Sequence, residues 1–138
     1  MGKRRKAREI VLQALYEAEF SEKSWEEILE SQIDRRGPAG DTTDHARRLF
    51  TITMEHLSEL DERIENSLEN WDLSRVSLVD KNILRFALAE ILYFDEIPSK
   101  VIINEAIEIA HRFSSVDAGR FINGLLDRFV REYREGTV

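Results

Sequence analysis

Apolar residues recur three and four apart along almost the whole chain, the period of one face of an α-helix. Ala7, Ile10, Val11, Ala14, Leu15 and Ala18 form the first stripe and predict a helix from about Arg5 to Phe20. Ser21 or Ser24 stops it and caps a second helix, with Trp25, Ile28, Leu29 and Ile33 inward and Glu26, Glu27 and Glu30 facing water. Residues 36–43, with two glycines and a proline, form the one clear loop. A single long helix follows, from about Asp44 to Trp71, with the seam Ala46, Phe50, Thr53, Leu57, Leu60, Ile64, Leu68 and Trp71. At about 1.5 Å per residue it would extend on the order of 40 Å.

Residues 72–75 read as a connector. Ser77 and Asp80 then have the form of an acidic capping box. The helix they start, about Leu78 to Phe94, is apolar on nearly every side and belongs at the centre of a bundle. Two more helices run from about Ser99 to Phe113 and from about Asp117 to Tyr133, the last one capped by Asp117. Gly119 and Gly124 lie inside it and cost about 1 kcal/mol each relative to alanine. A close backbone approach, to another helix or to a ligand, would explain them.

Composition agrees with this all-α reading. The 138 residues are 42% hydrophobic, enough for the core of one compact domain. Two prolines and six glycines are few for a strand-rich fold. With no cysteine there is no disulfide and no thiolate metal site, which suits a cytoplasmic protein. Apolar runs are too short to cross a membrane, and no apolar stretch follows the first cations, so neither a membrane partner nor a secretory signal is expected.

Charge adds an asymmetry. The chain carries 20 Lys and Arg against 27 Asp and Glu, yet its first eight residues hold five cations and no acid. Residues 9–138 are left with 15 cations against 27 anions. Such a basic end is either a solvated tail or a contact surface for phosphate, most plausibly that of nucleic acid.

Candidate chemistry is sparse. Of His45, His56 and His111, no two are four apart. Glu108 and His111 match half of a di-iron carboxylate site, and the second half is missing. No phosphate-cradling glycine loop and no nucleophile elbow occur. We therefore expect no enzyme, no metal and no cofactor.

What remains is a binding surface. On a helix, Tyr16 falls within about 20° of the line through Arg5, with Arg4, Arg8 and Gln13 nearby. Guanidinium forks grip phosphate and an aromatic ring stacks on an unpaired base, although Tyr16 taken alone reads first as a tyrosine on the core's rim. A second cluster comprises Lys100, Asp117, Arg120 and Phe121. Phe121 is either a stacking platform or core, and Asp117 could accept from a base edge.

Five segments together resemble the NusB family of bacterial transcription antitermination factors. They are Arg5 to Glu9 with Leu12 to Tyr16, Asn70 to Arg75, Asp80 to Arg85, Ile97 to Ala106 and Arg120 to Asp127. The chain departs from the family pattern at Ala89, where tyrosine is common, at Ser114, where glycine is usual, and at Arg120, where lysine is typical. The resemblance covers essentially residues 1–138. It implies two small helical bundles, residues 1–72 and 73–138, with about six to seven helices.

It further implies a factor that pairs with a small-subunit ribosomal protein, NusE. Together they bind boxA-like single-stranded RNA of nascent ribosomal RNA transcripts within an RNA polymerase elongation complex. By position, RNA would be held by Lys3, Arg4, Arg5, Lys6, Arg8, Gln13, Tyr16, Lys100, Asp117, Arg120 and Phe121, and NusE near Asp80 and Arg85. Self-association as a homodimer through the basic face would hide the RNA site. The alternatives are an RNA-binding domain of the type fused to RNA methyltransferases and a purely structural helical protein.

Overall fold

The computed structural model describes residues 3–37, 40–69 and 72–135, for Lys3 the backbone only. Among them are seven α-helices: α1 (Lys3–Phe20), α2 (Trp25–Arg36), α3 (Gly40–Glu55), α4 (Leu57–Ser67), α5 (Leu78–Tyr93), α6 (Ser99–Phe113) and α7 (Val116–Tyr133). A short 3-10 turn, Leu73–Arg75, sits in the expected connector. Ser24 and Glu27 close a reciprocal capping box on α2. Ser77 accepts from the Asp80 amide and starts α5.

The central helix is α5. Every residue from Asn82 to Ile91 is buried, because α1, α3, α4, α6 and α7 all pack against it. One hydrophobic cluster runs from α1 through α5 to α7, with Phe50, Phe86, Phe94 and Phe129 at or below 1% exposure. No glycine ends α5. Arg134, just past α7, closes it instead, donating to the carbonyls of Glu90, Ile91, Phe94 and Ile97 and to Ser99 Oγ. One guanidinium thus gathers the carbonyls at the end of α5, of which those of Glu90 and Phe94 also accept from backbone amides.

The structure differs from the expected elements in four places. The long helix after the loop bends at His56 (φ −112°, ψ 20°) and becomes α3 and α4. Hydrogen bonds continue through the bend, from His56 N to Ile52 O and from Leu60 N to His56 O, so the apolar seam survives. The His56 ring stacks on Tyr93 at 4.3 Å, and Tyr93 donates to Glu59 at 2.6 Å. These α5 contacts hold the bend, and no proline or glycine marks it. Residues 40–43, expected in the loop, are the first turn of α3, where Asp41 complements the helix dipole. Trp25, expected inward, is 42% exposed at the first position of α2. Ser115, not Asp117, caps α7: its hydroxyl accepts from the Ala118 amide at 2.9 Å.

Gly119 does mark a close approach. A Cβ there would lie 2.5 Å from His111 Nε2 on α6, whereas one at Gly124 would meet nothing within 4 Å. Trp71 and Pro38, which entered the expectations, lie outside the described residues.

Candidate nucleic-acid interface

The basic edge is the first turn of α1. Arg4 and Lys6 are exposed. Arg4, Arg5 and Arg8 line a depression of about 270 Å³ with Pro98, Val101 and Glu105. Arg5 is only partly free: it donates from Nε and Nη2 to the two oxygens of Glu105 at 2.7 and 2.9 Å. That hydrogen bond raises the Arg5 guanidinium above its ordinary range and lowers the Glu105 carboxyl below its own. On the rim Glu96 is lowered too, chiefly by the hydrogen bond it accepts from Arg48. Lys100, exposed beside Val101, stands on this same edge.

Arg8 does not belong to the accessible surface. It is 1% exposed, and its Nε donates to both oxygens of the fully buried Glu90 at 2.9 and 3.1 Å. His45 Nε2 lies 2.9 Å from the same carboxylate. Arg8 therefore ties α1 to α5 and α3 inside the core. Its polar head disguised a position on the apolar stripe, one residue after Ala7.

The second cluster gathers at the starts of two helices. Arg75, Ser77 and Asp80 face Ser115, Asp117 and Phe121 across a depression of about 320 Å³. Phe121 is half-buried against the core, so it keeps one face for packing. Asp117 and Arg120 are exposed and lie 3.6 Å apart. Asp80 Oδ1 is buried and accepts no hydrogen bond among the described residues. The structure separates Lys100 from this cluster, because it sits in the first turn of α6 and Asp117 lies beyond its last. The 15 residues of α6 set the two apart by on the order of 20 Å.

Arg85, expected at a protein partner, is also internal. It is 7% exposed, donates to both oxygens of Asp61 at 2.7 Å and to Asn82 Oδ1 at 2.8 Å. Its neighbourhood is nonetheless informative, since Glu19 of α1 comes within 3.9 Å of it. Next to Glu19 and one turn before it, the rings of Phe20 (71% exposed) and Tyr16 (44% exposed) lie 5.4 Å apart. Tyr16 thus stands beside the middle of α5, about 16 Å along α1 from Arg5. Gln13, between them, is half-buried.

Sequence reasoning missed Arg112. Glu9 accepts from Arg112 at 3.1 Å, just as Glu105 accepts from Arg5, so two side-chain pairs link α1 to α6 in the same order along both helices. Arg112 is 68% exposed and rests 5.3 Å from the Phe113 ring. It lies on the strip from the basic edge to the depression. A lone cation in a helix's last turn ordinarily reads as a dipole partner, so only the packing distinguishes it. No group of His, Cys, Asp or Glu that could hold a metal is found among the described residues, and no helix there is long and apolar enough to cross a membrane.

A family model described as the NusB family matches residues 5–131. The chain belongs to the NusB family. NusB of Thermodesulfovibrio yellowstonii is 40% identical, over 94% of this chain and 93% of that protein. NusB of Myxococcus xanthus is 41% identical, over 93% and 94%. Both are named as transcription antitermination proteins. The solved NusB of T. maritima superposes with a TM-score of 0.87 at 41% identity, over 94% of this chain and 92% of that one. The NusB fold recurs in a complex of NusB and NusE with double-stranded RNA, at a TM-score of 0.87 and 22% identity. That match covers 95% of this chain and 98% of the other.

Proposed function

We propose that this NusB-family protein is a non-enzymatic adaptor in transcription antitermination. It binds boxA-like single-stranded RNA of nascent ribosomal RNA transcripts together with NusE, and so joins the RNA polymerase elongation complex in the cytoplasm. The observation that carries this reading is the strip that α1 and α6 build between the basic edge and the depression at Phe121. Arg4, Lys6 and Lys100 are exposed along it and would hold phosphates, while Arg112, exposed but paired with Glu9, adds less. Phe121 offers the free face of its ring to a base, and Asp117 accepts from a base edge. Lys3, with its side chain outside the described residues, and Arg120 extend the two ends.

The protein partner would meet the other side of the same depression. Arg75, Ser77 and Asp80 line that side, and Tyr16 and Phe20 on α1 form an exposed aromatic pair of the kind that anchors protein interfaces. RNA and NusE sharing one depression gives a physical reason for joint binding, since each completes a surface for the other. Residues 1–72 and 73–138 would act as two bundles that share this edge. A homodimer through the basic edge would compete with RNA.

Titration of boxA-like and scrambled RNA, with and without NusE, tests this. Four phosphate contacts give a slope of log K against log salt of roughly −3. Arg4→Ala with Lys100→Ala should weaken both RNAs and flatten the slope by about 1.4. Phe121→Ala should instead reduce preference for the boxA-like sequence. Equal loss on both RNAs for that variant would falsify the stacking role.

A further inference from the structure

Cations at the basic end are not equally available. Arg8 is consumed by Glu90 inside the core, and Arg48 on the rim by Glu96 at 2.6 Å. Arg5 is the intermediate case. Its side chain is 26% exposed, and that of Glu105 21%. The Nε–Nη2 edge of its guanidinium is filled by the two carboxylate oxygens, and Nη1 makes no hydrogen bond among the described residues. Seen from a phosphate several ångströms away, the pair is close to neutral, because the two charges nearly cancel beyond their separation. Counter-ion release follows net charge neutralised, so a paired arginine adds little to sequence-blind attraction.

We propose that Glu105 is a specificity-determining residue: it silences Arg5 toward polyanions in general. Arg4, Lys6 and Lys100 are left to supply a deliberately limited phosphate grip. The base-reading groups at the far end of α6 then decide which RNA stays. An unmasked Arg5 would strengthen every RNA alike and so dilute that choice. This rests on the RNA-binding reading for its consequence, but not for its electrostatics.

The test uses the full chain, poly(U), a boxA-like RNA and a scrambled RNA. Glu105→Gln keeps one acceptor for Arg5 and removes the charge. It should steepen the salt slope on poly(U) by about 0.7 and raise affinity about fivefold at 0.1 M salt, the effect of one added phosphate contact. The ratio of boxA-like to scrambled affinity should fall. In an Arg5→Ala background the same substitution should leave the slope unchanged. Three results would overturn the proposal. Weaker binding by Glu105→Gln would make Glu105 a positioning group for Arg5. An equal effect in the Arg5→Ala background would make it only one more bulk charge. An unchanged slope would show that Arg5 was available all along. A wild-type protein indifferent to boxA-like sequence would sink the RNA reading instead, with the poly(U) result still deciding the electrostatic claim.

Discussion

Arg5 and Arg8 lie three residues apart on one helix, and each meets a glutamate from a different helix within 2.9 Å. In sequence they are interchangeable members of one basic run. In the fold Arg8 and Glu90 are sealed from water, whereas Arg5 and Glu105 keep about a quarter of their side-chain surface. A buried pair is locked by the penalty of leaving either charge alone in a low-dielectric interior, while a rim pair can exchange its partner for water or phosphate. Depth, rather than chemistry, makes one pair scaffold and the other adjustable.

The strongest way to break this contrast is Arg8→Ala. Glu90 would be left with His45 alone at its side chain, and the expected loss is about 3–5 kcal/mol, read from urea denaturation. Replacing both charges, Arg8→Met with Glu90→Leu, should recover most of that loss. A double variant as unstable as the single would show that the pair itself stabilises the core. Next in size, Arg5→Ala should cost less than about 1 kcal/mol. A loss comparable to that of Arg8→Ala would erase the distinction between rim and core.

The smallest effect is in pH. The hydrogen bond from Arg5 depresses the Glu105 carboxyl, so its contribution is present above the unfolded value of about 4.3 and is lost as pH falls through the lower folded value. Glu59, lowered chiefly by the hydrogen bond from Tyr93, follows the same sign. Wild type should therefore exceed Glu105→Gln in denaturation midpoint near pH 7, and the gap should close below about pH 4. A constant gap across that range would remove the carboxylate from the account.

Much of the architecture is legible in residue order, because burying one stripe per helix imposes a period that survives in the chain. The stripe of α1, the all-round apolarity of α5, the Ser24 and Ser77 caps and the packing role of Gly119 all follow from local pattern. The bend at His56 does not, since Tyr93 and Glu59 hold it from other positions. Nor does the capping of α5 by Arg134, more than 40 residues after the carbonyls of Glu90 and Ile91. Of the candidate contact residues, Arg4, Lys6, Lys100, Asp117 and Arg120 lie on the exposed surface. Arg8 and Arg85 do not, because the carboxylate that each meets, Glu90 or Asp61, comes from another helix and leaves no local trace.

By itself, the sequence determined that this is an all-helical chain with one basic end, since periodicity and net charge are sums over neighbouring residues. Only the tertiary structure decided which of those cations are free. A guanidinium is spoken for when a carboxylate 82 or 100 residues away arrives within hydrogen-bond reach, as Glu90 and Glu105 do. That encounter depends on how α1 lies against α5 and α6, a relation that no local pattern encodes.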